Sequence, residues 1–482
     1  MRWPHWSSVK LRPARKFSFF LRQRAAKCAV VTLVAVLLLL AAATLTHHKN
    51  NGAPLWQGCD AHFHNDSEAS DAHVFVTWLT NADSWTEHNS LALESLLVQH
   101  PYARVTVLAS ALPVDFFAYL TAAGYKVTVW PVSPSKLLRE CGYLGENSAR
   151  WLAKSKTFSK TPFFYSHFSD YLRFWALFRH GGLYMDLDAV ILRPLPLHTQ
   201  FVGTDCVEAR ANSSRSCIPC SELKVAWCLD GSLYLPPGVM RVEKGSAFLL
   251  RIVETAFSAT YNPKCWNCVG PKAITEQYLE HVPEELELLS PHLLYPYSYK
   301  DSRALFQASQ SPNAAALMLA CNSLSVHLYG KMTKGLVAEE GSVMSILLAK
   351  YRLACSPSTR SVLISAPDAV PTPGTGLLRF HGPYSVHVKL PCEASSYPSF
   401  SNLSICTHAS KGAFLFDGVD LAAPCKHGLG SINAVNRYLH GLAYAGNVAD
   451  DLITLRLHGE FGAQQVRLRV ISDSQVACPA VT

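Results

Sequence analysis

Between Phe168 and Leu195 the chain changes its periodicity once, abruptly, at Gly181-Gly182. Before the glycines, apolar residues recur at helical spacing. After them, Leu183-Tyr184-Met185 and Ala189 to Leu192 read as a short, buried, strand-type run. The block therefore predicts a helix, a Gly-Gly stop and a core strand. Asp186 and Asp188 interrupt that strand. Side chains at i and i+2 on a strand share a face, so the two carboxylates are expected side by side at its end. Burying them uncompensated is costly, and hard oxygen ligands suit Mn²⁺ or Mg²⁺. Asp170 and Arg173, at i and i+3, share one face of the preceding helix. An Asp-x-Asp tripeptide alone reads as an ordinary acidic turn. It is Asp170, Arg173, Gly181, Gly182, Tyr184, Asp186 and Asp188 together, in that structural context, that point to a donor site for a nucleotide-linked group.

Upstream, strand and helix signals alternate: strands at Val74–Trp78, Arg104–Leu108 and Lys126–Trp130, helices at Ser90–Val98 and Val114–Ala123. This is the rhythm of a parallel sheet covered by helices, an α/β fold. Ligands in such sheets lie at the carboxyl ends of the strands, which nominates Thr77, Trp78 and Leu79 as donor-binding residues. No Gly-x-Gly-x-x-Gly follows the first strand, so a dinucleotide enzyme is not indicated. Residues 136–161 read as a mobile connection and 205–228 as a disulfide-tied loop. Further elements are a returning strand at Gly238–Glu243, helices at Ser246–Ser258, Gly270–Leu279 and Ser342–Leu353, and a strand at Leu324–Tyr329. His327 on that last strand is a candidate third metal ligand; the competing reading is a structural histidine. Glu243 and Glu276 read as surface acids, and no nucleophile is identifiable.

The N-terminus sets topology. Residues Cys28 to Thr46 carry no charge and nearly span a bilayer core. Upstream stand eight basic residues and no acid, which keeps that end cytosolic. A single-pass signal anchor is expected, with a cleaved signal peptide as the competing reading. Those eight residues account for the whole net charge of +8, so the rest is balanced and nucleic-acid binding has no electrostatic support. Of 15 cysteines, all but Cys28 fall on the lumenal side and are even in number, as disulfides require. Cys217-x-x-Cys220 and Cys265-x-x-Cys268 also have zinc-like spacing. Asn65, Asn212 and Asn402 begin glycosylation sequons.

Expected boundaries are a basic tail at 1–27, the anchor at 28–46, a stem at 47–72, a catalytic domain at 73–355, a Pro-rich linker at 356–376 and a β-rich domain at 377–482. In the last, Leu452–Leu457 and Val466–Ile471 read as paired strands, with Val466, Leu468 and Val470 inward. Its four cysteines can pair among themselves, as can the ten before the linker. A small all-β sandwich fits the length.

From about Val74 to Cys355 the chain resembles the DXD-motif α-1,4-glycosyltransferase family, its plant-type members above all. The block from Asp170 to Asp188 carries most of the likeness. Lys264-Cys265-x-x-Cys268-x-Gly270 and the His327 strand followed by Gly335 to Cys355 add to it in order and spacing. The resemblance implies a glycosyltransferase-A-type mixed sheet with helices on both faces, Golgi type II topology and anomeric retention. It further implies a UDP-sugar donor, a glycan or glycolipid acceptor, and Mn²⁺ held by Asp186, Asp188 and His327. Asp170 and Arg173 are then the residues that orient the donor sugar and phosphate. Two positions depart from the pattern. Pro237-Gly238 stands where members carry Asn-Gly, and His327-Leu-Tyr329-Gly330 stands where they carry His-x-Trp-Asn. These losses leave open a non-catalytic glycan-binding or scaffold protein on the same fold. The end of the tail, from Ser431 to Thr454, is faintly similar to cadherin-like sandwich repeats.

Overall fold

The computed structural model describes residues 72–206, 233–310, 323–353, 363–366, 369–371, 378–380, 385–389, 403–417, 419–421, 423–446, 451–459 and 462–471. The expected anchor, the three sequons and Cys217-x-x-Cys220 lie outside these residues. Among the described residues no helix is long and apolar enough to cross a membrane.

The main sheet uses β1 (His73–Asn81), β2 (Arg104–Ala111), β3 (Lys126–Pro131), β4 (Gly182–Met185), β6 (Gln200–Gly203), β7 (Val239–Val242) and β8 (Leu286–Leu289). Between β4 and β6 in the chain lies β5 (Ala189–Ile191), which pairs antiparallel with β9 (Ser325–His327) outside that sheet. The sheet has seven strands in the order β8-β6-β7-β4-β1-β2-β3. Strands β1 to β4 run parallel, and β7 enters antiparallel between β4 and β6. The result is the mixed α/β sheet that the resemblance implies, with β7 breaking the parallel rhythm of the first elements. Central β1 buries Val74, Phe75 and Val76 completely. That is why it reads as a continuous apolar run instead of an alternating one.

Helices α1 (Glu87–Gln99) and α2 (Phe164–His180) flank the sheet, followed by α3 (Ala247–Ala256), α4 (Pro271–Glu280) and α5 (Val343–Tyr351). The helix expected over Val114–Ala123 shrinks to Ala118–Ala122. Residues 146–158 are not a plain connection. They form the helices Glu146–Ala153 and Ser155–Phe158, and Trp151, 3% exposed, packs against Phe257, Phe164 and Tyr171. Aromatic burial of that size is enough to order a segment with weak helical periodicity.

Helix α2 ends where the sequence predicts. Gly181 has φ +67°, and a side chain there would press on the Lys244 backbone nitrogen. At Gly182, φ +107°, a Cβ would sit 2.4 Å from the His73 carbonyl oxygen. Only glycine allows β4 to start this close to β1.

The tail is not all β. A five-stranded sheet contains Leu403–Ala409, Leu452–Gly459 and Gly462–Ile471, and a four-stranded sheet contains Ala413–Phe416 and Leu442–Ala445. Just before Leu442–Ala445 in the chain lies α6 (Ile432–Gly441), capped by Ser431, whose hydroxyl accepts the Ala434 N–H at 3.0 Å. The hairpin pairs Leu455 with Val466, burying Leu468 and Val470 and exposing Arg467 and Arg469. Two pieces of the Pro-rich stretch are strands: Leu363–Ser365 pairs with His387–Lys389, and Ala369–Pro371 with Arg469–Ile471. Helix α6 also reaches the turn that leads into β3. Asn433 Nδ2 donates to the Gly124 carbonyl at 2.9 Å, and Asn436 Nδ2 donates to Tyr125 Oη at 2.6 Å. One hydrophobic core runs from Val74 through Val98, Leu439 and Val470.

Candidate functional site

Strand β4 stops at Met185, and Asp186, Leu187 and Asp188 form a turn before β5. The two acids are therefore not i and i+2 on one strand, as the sequence suggests. The Asp186 carbonyl accepts the Ala189 N–H at 3.0 Å. Neighbouring elements hold the turn. Asn89, at the start of α1, donates to the Leu187 carbonyl at 3.0 Å, and Ser95 of α1 accepts the Ile191 N–H at 2.8 Å. The Asp186 N–H donates to the Gly238 carbonyl at 2.7 Å, and the Asp188 carbonyl accepts the Leu328 N–H at 2.7 Å.

The turn converges with β9. His327 Nε2 lies 3.1 Å from Asp188 Oδ1 and 3.9 Å from Asp186 Oδ2. All three residues can bring one ligand atom within 4.8 Å of one another. Two carboxylates and an imidazole are a donor set for Mn²⁺. The space among them is kept by glycines. A Cβ on Gly238 would come within 3.1 Å of Asp186 Oδ2 and 3.2 Å of His327 Nε2, and one on Gly330 within 3.3 Å of Asp188 Oδ2. Gly330 also donates its N–H to Asp188 Oδ2 at 2.7 Å. It is aimed there by Tyr329, held in the left-handed region at φ 50°, an outlier of the kind that gathers at functional sites. The donor set fits a divalent cation.

Charge in the site is crowded. Three carboxylates, Asp170, Asp186 and Asp188, face one permanent cation, Arg173. Its Nη2 lies 3.2 Å from both Asp170 and Asp186, and its Nη1 donates to the Pro237 carbonyl at 2.7 Å. The guanidinium also stacks over the Tyr184 ring at 4.4 Å. Arg173 is buried and both its terminal nitrogens are engaged by protein groups, while its Nε has no hydrogen-bond partner. Burial pushes the Asp170 carboxyl up to about 7, against the pull of Arg173 and with the help of Asp186. Gly270 leaves room for it, since a Cβ there would meet the carboxylate at 2.6 Å. Burial also opposes charge on Asp188, but His327 outweighs it and holds that carboxyl below the usual range. For His327, burial disfavours the charged ring, yet Asp188 and Asp186 together lift it to about 10. A proton on Nε2 answers the same two carboxylates that a cation would.

Thr77, at the carboxyl end of β1, joins the site by a hydroxyl chain. Tyr184 donates to Asp186 Oδ1 at 2.9 Å. Thr77 Oγ1 lies 2.9 Å from Tyr184 and 2.6 Å from Ser169 Oγ. Since the Tyr184 proton goes to Asp186, Thr77 donates to Tyr184 and Ser169 to Thr77. Trp78 turns elsewhere, packing on Trp85 at 4.8 Å. Leu79 contributes its carbonyl, which accepts from Ser110. Gly181 and Gly182 sit at the opposite end of β4 from the acids; the role visible for them is backbone packing. Glu243 is largely exposed beside Arg241, and Glu276 pairs with Lys272. Cys265 and Cys268 are bonded to each other, as are Cys406 and Cys425; the first bond overturns the four-thiolate zinc alternative for that pair. Sequence reasoning did not assign Ser169, Gly238, Gly270 or Gly330 to the site. Gly238 and Gly330 had a signal, because both stand at the two departures from the family pattern.

A glycosyltransferase sugar-binding region containing the DXD motif matches residues 86–207, and an alpha 1,4-glycosyltransferase conserved region matches 241–358. Both matches are to regions of DXD-motif α-1,4-glycosyltransferases, the family that the chain resembles. The two family regions bring in, respectively, the Asp186–Asp188 turn and the His327 strand. An uncharacterized protein of Arabidopsis thaliana is 26% identical over 305 residues, 60% of this chain and 43% of that protein. The chain thus spans less than half the length of this plant relative. Lactosylceramide 4-alpha-galactosyltransferase of Rattus norvegicus is 23% identical over 282 residues, 54% of this chain and 68% of that enzyme. Among solved structures, the galactosyltransferase LgtC with donor and acceptor sugar analogues is 14% identical, covers 57% of this chain and 95% of its own, and has a TM-score of 0.32.

Proposed function

We propose that this glycosyltransferase-family protein moves a hexose or N-acetylhexosamine from a UDP-sugar to a glycan or glycolipid acceptor, with retention at the anomeric carbon. The observation that carries this reading is the meeting of Asp186, Asp188 and His327 from segments about 140 residues apart, around a space floored by Gly238 and Gly330. In this reading those three residues hold Mn²⁺, or Mg²⁺, which supplies Lewis-acid neutralisation of the departing diphosphate. Asp170, at about 7, can hold or release a proton near neutrality and is suited to fix a donor hydroxyl. Arg173 is a positioning residue: with its fork engaged, it keeps Asp170 and Asp186 apart and oriented. The Ser169–Thr77–Tyr184 chain fixes the rotamer of Asp186. The glycosyltransferase-A-type fold, the Golgi location and a type II anchor over residues 28–46 belong to the same proposal.

The test is turnover of UDP-galactose and UDP-N-acetylglucosamine by the purified chain with Mn²⁺, repeated with Asp188→Asn. Equal rates in both proteins would remove the metal role. A thermal-shift screen over UDP-sugars then names the donor, because a ligand bound only to the folded state raises the melting temperature according to its affinity.

A further inference from the structure

Trp266 is 52% exposed, yet it is held firmly. It lies inside the ring closed by Cys265–Cys268. That ring is tied to α2 through His167, whose Nε2 lies 2.9 Å from the Cys265 carbonyl. A carbonyl can only accept, so Nε2 bears the proton and Nδ1 accepts from the Tyr261 hydroxyl at 2.7 Å. Asn267, the next residue, donates to Tyr234 Oη at 3.4 Å. Two residues beyond Cys268, Gly270 packs against the Asp170 carboxylate.

A second arm meets the indole from across the site. The Gly330 N–H grips Asp188, and the next residue, Lys331, places its ammonium 4.3 Å from the Trp266 ring. The same ammonium is 5.9 Å from the Phe163 ring at the start of α2. An exposed indole therefore stands one lysine side chain away from the turn that holds Asp188, and its loop runs directly into the contact with Asp170. The structural role of a surface tryptophan is to cover apolar neighbours, but this residue is half exposed. An indole is the side chain best suited to the apolar C–H face of a pyranose, and a cation over one face engages that face while a neighbouring ammonium donates to hydroxyls.

Resting on the glycosyl-transfer reading above, we propose that Trp266 and Lys331 form the acceptor platform, on which the terminal sugar ring of the acceptor lies beside the Asp186–Asp188–His327 cluster. The Cys265–Cys268 bond and His167 position the indole. The two arms, both within the family region at 241–358, thus close the acceptor side of the site.

The experiment is steady-state transfer by the full chain from the UDP-sugar identified in the donor screen to lactosylceramide and to free lactose, with Mn²⁺. Trp266→Ala should raise the acceptor KM at least tenfold while the donor KM stays within twofold, and Trp266→Phe should recover most of the loss. Lys331→Ala should raise the acceptor KM by a smaller factor. An unchanged acceptor KM in Trp266→Ala, or equal losses toward donor and acceptor that Trp266→Phe does not recover, would overturn the platform. Absence of any UDP-sugar turnover by the parent protein would instead sink the transferase reading, and the platform with it.

Discussion

Two tyrosine-bonded carboxylates among the described residues, buried Asp451 and half-buried Asp186, are held differently. In the tail, Asp451 accepts from Tyr444 and Ser410 hydroxyls and from the N–H groups of Lys411, Gly412 and Leu452. Every donor is neutral, and together they answer its charge without a counter-ion. Burial resists ionisation there, but the hydrogen bonds prevail and hold the carboxyl at about 2. In the main sheet, Asp186 also accepts from a tyrosine, Tyr184, but it shares its surroundings with Asp170 and Asp188. There the donors are charged or themselves shared, and one arginine serves two acids. A saturated carboxylate stabilises a fold. A cluster of three acids around one arginine and one histidine, with glycine-kept space, is built for something that arrives.

Substitutions can break this contrast. Asp188→Asn should lower Mn²⁺-dependent transfer on the order of a hundredfold or more, the scale of losing a preorganised electrostatic contact. Its melting temperature should stay close to the parent's. Asp451→Asn should do the reverse. It strands several buried donors, at about 2–3 kcal/mol of stability, seen as a lower denaturant midpoint, while turnover per folded molecule is kept. A variant in which both quantities fall together in either case would erase the distinction.

Two gentler changes sharpen it. Gly238→Ala places a methyl within 3.1–3.2 Å of Asp186, His327 and Tyr295 and should weaken the Mn²⁺ requirement's half-saturation roughly tenfold, the usual scale for disturbing a metal's surroundings. Asn436→Ala removes the bonds from α6 to Tyr125 and to Val388 and should cost about 1–2 kcal/mol, measured by chemical denaturation, with unchanged transfer. Acid provides the last test. The folded pKa of Asp451, about 2, lies below the unfolded value of ~3.9. Its contribution is therefore complete above the unfolded value and fades as pH falls toward the folded one. Thermal unfolding between those limits should be less pH-dependent in Asp451→Asn than in the parent.

Much of this was readable in the chain. The helix from Phe168 into the Gly181-Gly182 stop, the central strands and the Leu452–Ile471 hairpin follow from local periodicity and from glycine's freedom, which need only neighbouring residues. Helix α6 was missed because its apolar face, Ile432, Val435 and Leu439, is short and bordered by strand-like sequence. The packed helices of 146–158 were missed because their order comes from aromatic contacts with Phe257 and Tyr171, distant in sequence.

What the sequence by itself determined is the chemistry on offer: two acids, an arginine, a histidine and a glycine-rich punctuation, in an order shared with one family of glycosyltransferases. What only the tertiary structure decided is their arrangement. It moved Asp186 and Asp188 from a strand into a turn, engaged the fork of Arg173 with protein acceptors, and set Gly238, Gly270 and Gly330 where a side chain would collide with an acid. Distances between residues 140 positions apart depend on how the sheet is ordered and packed, and no local pattern encodes them.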